Sequence, residues 1–131
     1  LTDLDALIDV AEDRGYHVLW HRGGPKAAWL PRRRVVTLRV GMGDSDTLCS
    51  LAHELGHAHY GDPPGHFGPH ELRADCFAAK LLVSPIDYAA AEALYGPYPQ
   101  LIAAELGVTV RILNTWVSIY ERQVTQRSAT L

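Results

Sequence analysis

The chain is short of most features that would place it in a specialised class. Two cysteines in 131 residues, Cys49 and Cys76, are too few for a disulfide scaffold. Both fall in stretches of helical periodicity with apolar neighbours, so they read as buried free thiols in a reducing compartment. No run approaches the ~18 consecutive apolar residues of a membrane span. Charge of one sign is also lacking: a formal net charge of -3 marks neither a polyanion binder nor an acidic tail. No repeat and no low-complexity segment is present. The first thirteen residues hold Asp3, Asp5, Asp9, Glu12 and Asp13, the wrong charge for a signal peptide, although the chain starts at Leu1 rather than Met. These absences lead to the expectation of a cytoplasmic protein without a membrane anchor. Nothing in the chain sets an oligomeric state.

What is present is an ordinary globular composition, 47% hydrophobic and 21% charged, at a length that suits one domain. Leu4, Leu7, Ile8 and Ala11 recur at helical spacing, which predicts a helix over residues 3–14, ended by Gly15. Three extended runs follow, His17–Trp20, Ala27–Leu30 and Arg34–Val40. They are separated by breaker-rich segments and are expected to form a small antiparallel meander. The basic run Arg32–Arg33–Arg34 reads as a solvated turn, and Trp20, Trp29 and Trp116 as core residues. A helix is expected from Asp44 or Ser45, either of which can cap it, to about Tyr60. Its core stripe is Leu48, Leu51, Ala52, Leu55 and Ala58. After a Gly/Pro loop, a second helix runs from Pro69 to before Pro85, with Ala74, Phe77, Ala78, Leu81 and Leu82 on its apolar face. Further helices cover 85–94, 101–106 and 109–122, and the polar tail after Gln123 is expected to fray. The fold class is thus α+β. A three-stranded antiparallel sheet packs on the first long helix, with a catalytic core over residues 1–95 and a C-terminal helical hairpin over 99–123.

The sharpest feature is His53-Glu54-Leu55-Gly56-His57. Residues four apart share a helix face, so two imidazoles there can ligate one ion while the intervening glutamate reaches a water at the metal without being a ligand. A catalytic zinc site wants a third protein ligand. Glu71, fourteen residues after His57 and in the first turn of the next helix, would be returned over the motif by the loop. Asp75, one turn on, can accept a hydrogen bond from a liganding histidine and fix its tautomer. His59 points away from His57. His66 and His70 are rival ligands or cleft-lining residues. The site residues are therefore Glu54 as base, His53, His57 and Glu71 as metal ligands for one Zn2+, and Asp75 as orienter. Tyr60, His66, His70, Tyr88 and Tyr95 are candidates for oxyanion or substrate contact. Manganese or iron would accept the same ligand types. An exposed strand is expected to bind substrate by strand addition, with Arg34–Val40 as the expected edge.

Taken together, His53–His57 and the run Glu71-Leu-Arg-Ala-Asp-Cys-Phe-Ala-Ala-Lys-Leu-Leu-Val-Ser-Pro85 resemble the ImmA/IrrE family of metallopeptidases. Members show H-E-x-x-H followed by E-x-x-A-[ND]-x-F-A-x-x-L-L-x-[PS]. Val83–Ser84–Pro85 departs slightly, because many members place Met-Pro directly after the leucines. The resemblance implies Glu71 as third ligand. It also implies a protein substrate, a transcriptional repressor with a helix-turn-helix domain. Such proteins are commonly encoded by phages and mobile elements, or act as bacterial stress regulators. Ile102–Val117 itself resembles half of a helix-turn-helix, which raises the alternative of a DNA-binding or protein-interaction regulator. Its presumed recognition helix carries only Arg111 as a cation before its end, whereas DNA binding needs several phosphate contacts. A hairpin packed on the core, or a partner contact, is the favoured reading, and nucleic acid is not the expected partner.

Overall fold

The computed structural model describes residues 3–66 and 68–130, with side chains through residue 128. Six helices and three strands follow in the order α1 (Leu4–Asp13), β1 (His17–His21), β2 (Ala27–Leu30), β3 (Val35–Arg39), α2 (Asp44–Tyr60), α3 (Gly68–Leu82), α4 (Pro85–Tyr95), α5 (Pro99–Leu106) and α6 (Val110–Thr130). The architecture is α+β, as the sequence predicts.

Helix α1 starts where the Asp3 carboxylate accepts from the Ala6 N–H at 2.8 Å, and it buries Leu7 and Ala11. Gly15 takes φ +85° beyond its end, a conformation an L side chain resists.

The sheet differs from the expected meander. Its order is β1-β3-β2, with β1 parallel to β3 and β2 antiparallel to β3. The chain therefore crosses past the place of the central strand before the β2–β3 hairpin fills it. His21 ties down this crossing: its Nε2–H donates to the Pro25 carbonyl at 2.7 Å, and its Nδ1 accepts from the Thr37 hydroxyl at 2.6 Å. Arg32, Arg33 and Arg34 are exposed turn residues, as expected, and Arg34 is also tied down. It sits at φ 53°, donates to the carbonyls of Arg14 and Gly15, and lies over the Tyr16 ring, clamping the β2–β3 turn to the end of α1. Because β3 is central, it cannot be the free edge expected to take a substrate strand; the outer strands are β1 and β2.

One face of the sheet, carrying Ala27, Trp29, Val36 and Leu38, joins the core made by α2. All five residues of the expected α2 stripe are buried. The helix begins one residue earlier than a side-chain cap would set it. Gly43 is the N-cap and makes no side-chain bond, and the Thr47 hydroxyl returns to the Gly43 carbonyl at 2.9 Å. Trp29 and Trp116 are core residues, whereas Trp20 on edge strand β1 is 48% exposed.

Helix α3 returns antiparallel along α2, with His57 facing Glu71 and His53 facing Asp75. The two helices approach so closely that a Cβ built on Gly56 would lie 3.0 Å from Ala74 Cα and 3.2 Å from its carbonyl oxygen. Helices α5 and α6 meet at a bend of 101°. They pack through Ile102, Ala103, Leu106, Val108, Ile112, Leu113 and Trp116, all buried in the common core. The tail does not fray where expected: α6 runs to Thr130, and residues 121–128 are exposed. That stretch contains neither glycine nor proline, so the helix meets no breaker. Among the described residues, no single helix is long and apolar enough to cross a membrane.

The close crossing gives a test. At an exposed helical site Gly→Ala adds roughly 0.5–1 kcal/mol of stability. Gly56→Ala should instead destabilise, because overpacking against the Ala74 backbone costs about 1–3 kcal/mol. Urea unfolding should show a lower midpoint at unchanged slope. A raised midpoint would show that the crossing does not need glycine.

Candidate metal centre

Both motif histidines lie on the α2 face that meets α3, and their ring nitrogens converge. The two Nε2 atoms are 3.2 Å apart. Glu71 Oε1 lies 2.7 Å from His57 Nε2 and 3.2 Å from His53 Nε2. His66, from the loop between the helices, brings its Nδ1 to 3.0 Å from the same Glu71 oxygen. One ligand atom from each of these four residues lies within 4.8 Å of all the others, a group able to hold a metal ion. Ligand atoms bound tetrahedrally to one ion at ~2.0–2.1 Å stand about 3.3 Å from each other, close to the spacings found here.

Each histidine is oriented through its other nitrogen. His53 Nδ1–H donates to Asp75 Oδ1 at 2.7 Å, as the sequence predicts. His57 Nδ1–H donates to Asp62 Oδ2 at 2.8 Å, a partner the sequence analysis missed. A carboxylate on Nδ1 fixes the tautomer that leaves Nε2 unprotonated and able to accept a metal. Both carboxylates are buried, and each is held in turn by an arginine. Arg111, from the first turn of α6, bonds Asp75 Oδ2 through Nε at 3.2 Å and Nη2 at 2.7 Å. Arg73, from α3, bonds Asp62 Oδ1, and the Asp62 carbonyl accepts from Trp29 Nε1 at 3.1 Å. Burial alone would push both aspartates up. For Asp62 the hydrogen bond from His57, then Arg73, outweighs it; for Asp75 the bond from His53, then Arg111, does so. Both stay below the usual carboxylate range.

Glu54 is 1% exposed, and burial raises its pKa despite the neighbouring histidines. Its Oε2 has no hydrogen-bond partner among the described residues and stands 4.0 Å from His57 Nε2. A buried carboxylate oxygen without a partner costs stability, and such groups concentrate at functional sites. At His53, burial favours the neutral ring, but the Asp75 bond and the charges of Glu54 and Glu71 more than offset this and raise the pKa. At Glu71, burial is outweighed by the bond from His66 and by His53, so it remains ionised into mild acid.

These groups open into a cleft of about 320 Å³. Lys26 and Ala27 of the β2 region wall one side, and Thr109, Arg111 and Ile112 wall another, so the start of α6 belongs to the site. Of the candidate oxyanion or substrate contacts, only His66 lines this cleft. Tyr60 stacks under Arg73 in a separate hollow. The Tyr88 hydroxyl donates to Glu92 and its ring stacks on Trp116, while the Tyr95 hydroxyl donates to Glu105. His70 lies close enough to Asp62 to lower its pKa and is not among the residues lining the cleft. His59 points out from α2 against Phe77, as expected. Both cysteines are free thiols, Cys49 buried at the base of the cleft.

The model of peptidase family M78, described as the IrrE N-terminal-like domain, matches residues 8–116. The chain belongs to this family. The match takes in the sheet, both helices of the metal centre and the hairpin as far as Trp116. No curated protein matches the chain. Membership supports a metallopeptidase type of activity and a protein as the general class of substrate.

The missed aspartate can be tested beside the expected one. Asp62→Ala should weaken divalent-metal binding about as much as Asp75→Ala, roughly 10–100-fold. Chelator competition on the two purified variants measures this. Wild-type affinity in Asp62→Ala would remove it from the centre.

Proposed function

We propose that this protein is a zinc-dependent metalloendopeptidase of one domain, with His53, His57 and Glu71 as ligands of a single Zn2+ and Glu54 as general base. One observation carries the reading: three ligand atoms converge at tetrahedral spacing, with a buried Glu54 oxygen 4.0 Å from one of them and without a hydrogen-bond partner among the described residues. Two imidazoles and a carboxylate suit zinc and leave a position open. When bound, the ion supplies a Lewis acid that acidifies water and polarises a carbonyl.

The chain's own residues do the rest. Asp75 and Asp62 hold the two rings with Nε2 forward. Glu54 takes the proton of the attacking water at Oε2 and returns it to the leaving amide nitrogen. His66, the exposed member of the cluster, is placed to donate to the developing oxyanion. An extended substrate segment fits against the outer strand β2, whose Ala27 borders the cleft, rather than against the enclosed β3.

By resemblance, the substrate is a helix-turn-helix transcriptional repressor, cut in the cytoplasm, where two free thiols remain reduced. The DNA-binding alternative draws less support. Arg111, the cation it depends on, is bonded to Asp75, and the buried face of the hairpin packs on the core.

Glu54→Gln should keep about one zinc per chain, by elemental analysis, and lose cleavage of any helix-turn-helix repressor that the unaltered protein cuts. Glu71→Ala should be metal-free at micromolar zinc. Zinc retained in Glu71→Ala would make His66 the third ligand. Cleavage surviving in Glu54→Gln would remove the assigned base.

A further inference from the structure

A second cavity, of about 340 Å³, shares no lining residue with the cleft. It lies between α1, α2 and α3. Arg14, Arg73 and Lys80 bring three cations to it, and no carboxylate lines it. Its walls are aromatic: Tyr16, Tyr60 and Phe77, with the His59 ring 5.0 Å from Phe77 and Tyr60 at 6.3 Å from the same ring. Arg73 lies 4.1 Å above the Tyr60 ring. The rings are therefore packed on one another rather than free to fill the space. Small-molecule sites typically measure ~300–1,000 Å³ and combine apolar walls with a few convergent polar groups. Arg73 is paired with Asp62, but Arg14 and Lys80 form no ion pair among the described residues; two such cations favour an anion, and aromatic walls favour a planar ring.

We infer that this cavity binds a small aromatic anion of mononucleotide type, its phosphate met by Arg14, Arg73 and Lys80 and its ring set against Phe77 and Tyr60. The site is connected to the metal centre. The Arg73 guanidinium that lines it also bonds Asp62, and Asp62 holds His57. A phosphate that takes hydrogen bonds from Arg73 weakens its hold on Asp62, and His57 is then less firmly presented to the ion. Bound nucleotide lowers metal affinity, and by linkage metal lowers nucleotide affinity by the same factor. This second part rests on the metal centre proposed above; occupancy of the cavity does not.

Cys76 is a half-buried free thiol in the cavity wall and reports occupancy directly. The experiment uses the full zinc-loaded chain, with AMP as probe and adenosine and inorganic phosphate as partial probes. Alkylation of Cys76 by iodoacetamide is followed by peptide mass spectrometry. AMP should slow alkylation at concentrations where adenosine and phosphate do not. Arg14→Gln and Lys80→Gln, which leave Arg73 in place, should abolish that protection with zinc content unchanged. Chelator competition at saturating AMP should show zinc held at least about 5-fold more weakly, the lower end of ordinary allosteric coupling. No protection by millimolar AMP, or protection that survives both substitutions together, overturns the site. Protection by an acidic, aromatic-containing peptide but not by AMP also overturns it, in favour of a protein partner. Protection with zinc affinity unchanged overturns the coupling. Failure of the untreated protein to hold zinc would count against the metal centre and leave the Cys76 result standing.

Discussion

The convergence of His53, His57 and Glu71 depends on how closely α2 and α3 cross. Gly56 occupies a position where a single added carbon would press on the Ala74 backbone, so the absence of a side chain sets the distance between the helices. That distance allows a glutamate from α3 to reach two histidines on α2 within hydrogen-bond range. An extra ångström would part the ligand atoms, and packed interiors do not deform smoothly to recover it. The H-E-x-x-H motif is therefore more than a set of donors. Its fourth residue is the spacer that admits Glu71 from α3.

Around the ligands, the same construction occurs twice. His53 is held by Asp75 and Asp75 by Arg111; His57 is held by Asp62 and Asp62 by Arg73. The two arms come from different parts of the chain. One reaches into the C-terminal hairpin, which thereby becomes part of the wall and support of the site, although its sequence resembles a DNA-binding unit. The other is anchored by the Trp29 indole to the sheet. Ring orientation is thus supported from both sides of α2, and a side chain locked by packing and outer hydrogen bonds stays near its working geometry.

Legibility in the sequence followed distance along the chain. Helix α2, its buried stripe and the placement of both histidines on one face come from local periodicity. So do Glu71 and Asp75 on one face of α3, and the family signature adds to them. Strand positions were also legible, to within a residue. Strand order was not, because a five-residue alternating run such as Val36–Val40 reads the same whether its neighbour is parallel or antiparallel, edge or centre. Asp62 was close at hand, five residues past His57 and just after Gly61, which caps the helix in the left-handed conformation. The reversal it makes there brings the carboxylate back under the ring, and a Gly-Asp pair at that point is the signal that would have found it. Arg111 was noticed only as the lone cation of a presumed recognition helix, because its partner Asp75 lies 36 residues away. Trp20 was placed in the core by its type alone; on an outer strand it has no second layer to cover it.

The double construction also fixes the electrical balance of the site. Glu54, Asp62, Glu71 and Asp75 are four carboxylates set against two guanidiniums, so with neutral histidines and every acid ionised the cluster carries two negative charges in a largely buried space. Such an excess is costly in a medium of low polarity. The surroundings raise the proton affinity of two of its groups, His53 and Glu54. In the proposed centre a dication relieves the same excess. The surroundings thereby discriminate by valence: a monovalent ion leaves the cluster undercompensated and a trivalent one overcompensated, whatever the fit of the ligands.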